Sequence, residues 1–235
     1  MKVLLIGDSC EDRYFYGDVK RLNPEAPVPI LEYKRGVTSK GMVWNVRENL
    51  RSFGVEVYTS THPEEIIKTR FIDEKSNQQI LRSDEEPEIT PISFEFPDEW
   101  KSTYDALVIS DYDKGFITQE KLFELSNWFQ GPVFIDTKKT CIPGNAFIKV
   151  NESEFKKITH FIPDNMIITK GGEGTEYQGK MYPAEKVNVF DVVGAGDTFL
   201  AALTYGYLKY GRIEEAIPLA NKAAAVAVSH RGTYV

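Results

Sequence analysis

Cysteine, histidine and positive charge are all in short supply in this sequence. Cys10 and Cys141 are the only cysteines among 235 residues, too few for a disulfide framework, and Cys10 reads as a small apolar filler rather than a nucleophile. His62, His160 and His230 stand far apart, without the short spacings of a zinc site, so each reads as a surface or capping residue. Lys and Arg number 28 against 35 Asp and Glu, a formal net charge of −7, which argues against a nucleic-acid or anionic-membrane surface. No apolar run is long enough to cross a bilayer, and Met1-Lys2 leads straight into an apolar stretch without a cleavable leader. There is no G-x-x-x-x-G-K-[ST] phosphate loop and no G-x-G-x-x-G after the first apolar run. A reducing cytoplasm is the expected setting.

What is present is apolar content and an alternating rhythm. With 42% hydrophobic residues, the chain is expected to bury one substantial core, with a small appendage beside it rather than a second full domain. Val3 to Ile6 reads as a buried parallel strand that delivers Asp8 at its carboxyl end, the edge where open α/β sheets collect ligands. Asn23 to Tyr33 carries three prolines and reads as an exposed edge strand or flap. Met42 to Phe53 reads as a helix and Val55 to Thr59 as a strand. Ile66 to Ile72 and Gln78 to Arg82 read as two strands around a polar turn. From Asp105 onward strands (106–109, 133–135, 147–150, 166–169) alternate with helices (119–129, 152–157), the order of a parallel sheet flanked by helices. Gly171 to Tyr182 suggests an edge hairpin. Helices 198–210 and 213–229 close the chain, the second with the small face Ala223, Ala224, Ala225 and Ala227, which permits close helix packing. No internal repeat or low-complexity linker interrupts this order.

The densest chemistry lies in Asp191 to Ala202, DVVGAGDTFLAA. Gly194, Ala195 and Gly196 leave backbone N–H groups bare at a helix N-terminus, where the dipole favours a phosphate. Asp197 opens the helix close enough to that anion site to take a proton from an attacking hydroxyl. By itself the stretch is equally a turn followed by an ordinary helix start.

Five segments occur together in one order: GDSCEDRYFYGDVKRLNPEAPVPILEY (7–33), ISDYDKGF (109–116), KVNESEF (149–155), IITKGGEGT (167–175) and DVVGAGDTF (191–199). In these the chain resembles the ribokinase-like carbohydrate kinases of the phosphofructokinase B type. The opening segment and QQILRSDEE (78–86) are most similar to the heptose-7-phosphate 1-kinase domain of ADP-heptose biosynthesis.

The resemblance implies a three-layer α/β/α sandwich with a mostly parallel sheet. It implies one kinase domain over 1–235, with a small β-strand lid drawn from about 13–35 and 66–84. It makes Asp197 the catalytic base and Gly194, Ala195 and Gly196 the anion hole for the transferring γ-phosphoryl. Asn151 and Glu154 match an Asn-x-x-Glu pair that organises Mg²⁺ and its waters, Glu154 acting through water. The same two residues also suit an N-cap with a solvated Glu. ATP would lie over Lys170, Gly171, Gly172 and Gly174, beside Asp191 and against Asn221; K⁺ assistance at the anion hole is left open. Asp8, Asp12 and Asn45 fall where acceptor hydroxyls bind. Arg13, Lys68, Arg70, Arg82 and Lys114 are candidate partners for a sugar phosphate, although any one of them also fits an ordinary surface cation.

The departures are equally specific. Ser39-Lys40-Gly41-Met42-Val43-Trp44-Asn45 replaces a Gly-Gly stretch, and Trp44 stands beside Asn45. A helix-and-strand unit is absent between Thr59 and Ile66, the chain stops soon after the Arg231-Gly232-Thr233 loop, and a fused nucleotidyltransferase domain is absent, so a shortened kinase with a narrower sheet is expected. The expected reaction is transfer of the ATP γ-phosphoryl to a sugar hydroxyl, the anomeric hydroxyl of heptose 7-phosphate in the first instance, by a homodimer joined through the lid. The alternatives are a catalytically degenerate sugar- or nucleotide-binding protein, a partner subunit, or a kinase of another sugar or nucleoside.

Overall fold

The computed structural model describes residues 1–93, 95–159 and 164–230. In chain order the elements are β1 (Lys2–Gly7), β2 (Ser9–Leu22), β3 (Pro29–Met42), α1 (Val43–Ser52), β4 (Glu56–Ser60), β5 (Ile67–Asp73), β6 (Gln78–Glu85), α2 (Trp100–Thr103) and β7 (Ala106–Asp111). They continue with α3 (Gln119–Trp128), β8 (Val133–Thr137), β9 (Phe147–Asn151), α4 (Glu152–Phe155), β10 (Met166–Thr169), β11 (Thr175–Tyr177), β12 (Lys180–Tyr182), α5 (Ala195–Tyr210) and α6 (Ile213–Val228). Contacts divide the chain into two units: residues 1–8, 42–62 and 89–235 form the first, and 9–41 with 63–88 form the second.

The first unit holds an eight-stranded sheet in the order β12-β11-β10-β9-β8-β7-β1-β4. The six strands from β10 to β4 run parallel, and the β11–β12 hairpin is antiparallel. The central strands are apolar because both faces are covered. Val3, Leu4, Leu5 and Ile6 are fully buried, and burial of four such side chains contributes on the order of 6–12 kcal/mol before chain entropy. Val3, Leu5, Val108 and Phe134 pack with α1, α5 and α6 in one core cluster. Leu4, Ile6, Leu107, Ile109 and Ile135 alternate to the opposite face and are equally buried. This is the expected α/β architecture, a mostly parallel sheet flanked by helices.

The small face of α6 packs as expected, with Ala223 and Ala224 against the core cluster that holds α5, and it has a second use. The close approach of α5 to α6 runs through Gly206, where a Cβ would meet Ala216 Cα at 2.9 Å, while Ala224 and Ala225 line a cavity. Among the described residues no helix is long and apolar enough to cross a membrane.

The second unit is a four-stranded sheet in the order β3-β2-β5-β6. The second part of the proline-rich segment is the expected edge strand, since β3 begins at Pro29, whereas residues 23–28 connect β2 to β3. Pro24 and Pro27 have no N–H to donate to a ladder, so the chain turns there. Tyr33 is 64% exposed and Leu81 is 57% exposed on this sheet.

Candidate active site

The loop that leads into α5 turns at Gly194, whose φ of 78° is the left-handed conformation glycine supplies cheaply. Its carbonyl accepts from Thr198 N–H at 2.9 Å, and Ala195 N–H reaches Val192 O at 3.3 Å. Ala195 is therefore partly used inside the fold, and the amides of Gly196 and Asp197 begin the helix. A Cβ at Gly196 would lie 2.9 Å from Lys149 Nζ, so glycine here lets a buried ammonium come up against the helix N-terminus. Lys149 is held by Asp136 at 2.6 Å. Burial alone would lower the Lys149 pKa, but Asp136 outweighs it and keeps the group above its usual value and charged.

Asp197 sits in the first turn of α5 and is 4% exposed. Its Oδ2 accepts from Asn45 Nδ2 at 3.0 Å and its Oδ1 from the Tyr112 hydroxyl at 2.7 Å. Burial pushes its pKa up to about 6, and Asp136 adds to the rise; Asn45, Tyr112 and Lys149 oppose it. The carboxyl is thus ionised at neutral pH and close to the range that suits a general base. Asn45 is fixed in turn by Asn49, whose Nδ2 donates to the Asn45 backbone and side-chain oxygens at 2.9 and 3.1 Å.

Asn151 and Glu154 form a reciprocal capping box on α4. Asn151 Oδ1 accepts from the Ser153 and Glu154 amides at 2.9 Å, and Glu154 Oε2 accepts from Asn151 N–H at 2.8 Å. Glu154 Oε1 pairs with Lys138. Burial works against its charge, yet the Asn151 amide and Lys138 hold its pKa below the usual value. An ionised carboxylate with one oxygen on an exchangeable lysine suits Mg²⁺, which takes one or two carboxylates together with water and phosphate oxygens. Among the described residues no three His, Cys, Asp or Glu side chains cluster as an all-protein metal cage.

Beside this helix terminus lies a cavity of about 560 Å³, within the size range of small-molecule sites. Lys149, Asn151, Gly171, Gly172, Gly174, Ala195, Gly196 and Asn221 line it, with an apolar wall from Val187, Val189, Val192, Phe199 and Val228. Gly171 and Gly172 have nothing within 4 Å of a notional Cβ and leave their backbone open. Gly174 is different: a Cβ there would strike Tyr182 O at 2.1 Å, so this glycine serves the hairpin.

Some expected residues are engaged elsewhere. Lys170 is outside the cavity lining and bonds Glu176 at 2.6 Å. The Asn221 amide ties the hairpin, accepting from Thr175 at 2.6 Å and donating to Tyr182 O at 2.9 Å, so it shapes the wall. Asp191 accepts from Val193 N–H at 3.0 Å and sets the turn before Gly194. Asp8 is fully buried. Its Oδ2 accepts from the Tyr112 and Lys114 amides at 2.7 and 3.3 Å, anchoring the loop after β7, and its Oδ1 has no hydrogen-bond partner among the described residues. His62 is buried and edge-on to Phe116, contrary to the expected surface position; His230 does cap, with Nδ1 2.8 Å from Val226 O. His160 and the loop 231–233 lie outside the described residues. Trp44 packs on the core under Arg47, about 100° around α1 from Asn45.

In the second unit, register sorts the expected cations. Asp12, Lys68 and Asp84 pair across three strands, as do Tyr14, Arg70 and Arg82, which places all six on one face. Arg70 bonds the buried Asp12 at 2.5 Å and Arg82 bonds Asp84 at 2.6 Å. Arg13 falls on the other face and bonds Glu11, so it is not brought together with the other cations. Gly41 is required here, since a Cβ would lie 2.3 Å from Asp12 Oδ2. The sequence reading missed Lys149, Asp136, Tyr112 and Lys138. Lys149 had a signal: it precedes Asn151 by two residues on a strand and therefore shares its face.

Comparison with known proteins follows this geometry. The pfkB carbohydrate kinase family matches over residues 123–235. Among curated proteins the chain is 30% identical over 286 positions to the bifunctional protein HldE of Nitratiruptor sp., covering 98% of this chain and 62% of that protein. It is 31% identical to HldE of Campylobacter jejuni, covering 99% and 62%. The chain thus spans about six tenths of the length of these relatives. An alignment of 286 positions against 235 residues leaves at least 51 positions of the first relative without a counterpart. Among solved structures, Thermotoga maritima ribokinase superposes with a TM-score of 0.69 at 16% identity, covering 98% of this chain and 94% of that one. Arabidopsis thaliana ribokinase, solved with ribose and ATP, also gives 0.69 at 16% identity, covering 98% and 93%. These likenesses carry the fold.

Proposed function

We propose that this chain, which is similar to the pfkB carbohydrate kinase family over residues 123–235, transfers the γ-phosphoryl group of ATP to the anomeric hydroxyl of a heptose 7-phosphate. The activity, the acceptor, the metal, the assembly and the residue roles together make up this reading. The observation that carries it is a buried carboxylate, Asp197, in the first turn of a helix whose N-terminus abuts the 560 Å³ cavity. The choice of heptose rests on the similarity to HldE proteins.

In this reading Asp197 accepts the proton of the acceptor hydroxyl as its oxygen attacks the γ-phosphorus, and ADP leaves. The Gly196 and Asp197 amides and the Lys149 ammonium offset the charge that develops on the phosphoryl oxygens. ATP occupies the cavity, with its base against the valine wall and its phosphates toward Gly196. Glu154, with Asn151 holding it in place, would carry Mg²⁺; the ion would supply charge neutralisation at the phosphates. Asp12 and Asn45 bind acceptor hydroxyls, and Lys68, Arg70 and Arg82 take the 7-phosphate. The second unit serves as the lid of one kinase domain, its exposed Tyr33 and Leu81 meeting a second copy in a cytoplasmic homodimer. Exposed apolar side chains on a small sheet favour such pairing.

The test is incubation with ATP, Mg²⁺ and a panel of heptose 7-phosphate, other sugars, sugar phosphates and nucleosides, read by ³¹P NMR, with and without K⁺. A new anomeric phosphate with heptose 7-phosphate is the expected product. Turnover with another acceptor alone would reassign the substrate, and none with any acceptor would leave a binding protein. Asp197→Asn should lose turnover by at least roughly 10³-fold and bind ATP within about threefold of the parent; near-normal turnover removes Asp197 from its role.

A further inference from the structure

The hydrogen bond that fixes Asp197 from above comes from a residue outside the glycine-rich motif. Tyr112 follows β7 directly, and its position is set by its own backbone, because its N–H donates to the buried Asp8 Oδ2 at 2.7 Å. Asp8 also takes the Lys114 amide at 3.3 Å, so one carboxylate holds both ends of the turn that presents the phenol. From there the Tyr112 hydroxyl reaches Asp197 Oδ1 at 2.7 Å, while Asn45 Nδ2 holds Oδ2 at 3.0 Å. One donor on each oxygen fixes the rotation of the carboxylate about its Cβ–Cγ bond.

We propose that Tyr112 is a positioning residue for phosphoryl transfer: its phenol orients the Asp197 carboxylate and preserves its capacity to accept the proton of the sugar hydroxyl. This rests on the kinase reading above. The groups that face Asp197 are Asn45 from α1, Tyr112 after β7, Asp136 from β8 and Lys149 from β9. Burial and Asp136 disfavour the charged carboxylate; Asn45, Tyr112 and Lys149 favour it. Of the three favourable groups, Tyr112 can be altered with the least disturbance. Tyr112→Phe removes one oxygen, leaves the backbone bond to Asp8 and keeps the ring under Lys138, whose Nζ lies 5.5 Å from its centroid. The proton that moves in catalysis comes from the acceptor hydroxyl and ends on Asp197, and the phenol keeps its own.

Losing a hydrogen bond to a carboxylate is expected to raise the pH at which it titrates by about one unit. The first measurement needs no substrate: the ¹³Cγ resonance of Asp197 in the ligand-free protein, followed over pH, should titrate near 6 in the parent and about one unit higher in Tyr112→Phe. The second is the pH–rate profile, whose acidic limb should move in the same direction. The ratio of kcat at pH 6 to kcat at pH 8 should then fall about fivefold, with the ATP Kd unchanged. An Asp197 titration that is the same in both proteins overturns the proposal, as does a variant that loses kcat equally at both pH values. Asn45→Ala, which removes the donor on the other oxygen, should shift the titration in the same direction if Tyr112→Phe proves too unstable to measure. A parent protein inactive with every acceptor would instead count against the kinase reading and leave the ligand-free titration standing.

Discussion

At the scale of single residues, the Lys149–Asp136 pair shows how function and stability are entangled. Both groups are almost wholly out of water and 2.6 Å apart. Removing one partner of such a pair strands the other, at a cost of about 3–5 kcal/mol. Lys149→Met should therefore lower stability by that order in urea unfolding, and adding Asp136→Leu should recover most of the loss. If the double variant is no more stable than the single one, Asp136 is not the stranded charge. The pKa of Lys149 is raised, so its contribution is complete below the unfolded-state value of roughly 10.4 and fades only as pH climbs through the higher folded value; measurements near neutrality see all of it. Asp197 follows the same sign in a more acidic window. Its folded pKa of about 6 lies above the ordinary carboxylate value of 3.8, so its contribution to stability is lost as pH rises between those two values, and turnover should fall as pH drops below about 6. The residues of the glycine-rich motif were legible in the sequence because turn and helix-start chemistry is local. Tyr112 and Asp136 were not, since what matters about them is a contact across 85 residues of chain in one case and a neighbouring strand in the other.

At the scale of elements, α5 and α6 are set by small residues at their crossing. Gly206 leaves 2.9 Å between its notional Cβ and Ala216 Cα, and Leu219 stands only 3.3 Å away. Gly206→Val would force the helices apart, a strain of about 1–3 kcal/mol. Because α6 also carries Asn221, Ala224 and Ala225 to the cavity wall, the same change should weaken ATP binding. A thermal unfolding scan and an ATP titration would check both effects; an unchanged melting temperature would mean that the crossing has slack. Helix and parallel-strand positions agreed closely with the sequence pattern because long apolar periodicity is a strong signal. The two 14-residue strands β2 and β3 were harder to see. Most of β3 is exposed, so its residues carry little of the in–out alternation that marks a half-buried strand.

At the scale of the whole molecule, the large sheet ends at β4, which among the described residues pairs with β1 alone. An open edge is an aggregation hazard, and β4 contributes Tyr58 to a cluster of aromatic rings. Tyr58 of β4 meets Trp100 edge-on at 4.7 Å, and Trp100 touches Tyr104 and Phe96 at 5.4 and 5.6 Å. Trp100→Ala should cost about 2–4 kcal/mol and increase light scattering on mild warming. A variant that loses stability without associating would show that these rings pack the core and do not guard the edge.

The order of apolar runs, turn residues and the glycine-rich helix start decided the fold class, the parallel sheet and the place of the glycine-rich turn before α5, since each follows from local propensity and periodicity. Tertiary structure alone decided which charges meet: that Lys149 rises beneath Gly196, that Asp8 secures a loop, and that Lys170 turns to Glu176. Those outcomes depend on strand order and on the competition of partners for a few buried polar atoms, which no spacing along a chain records.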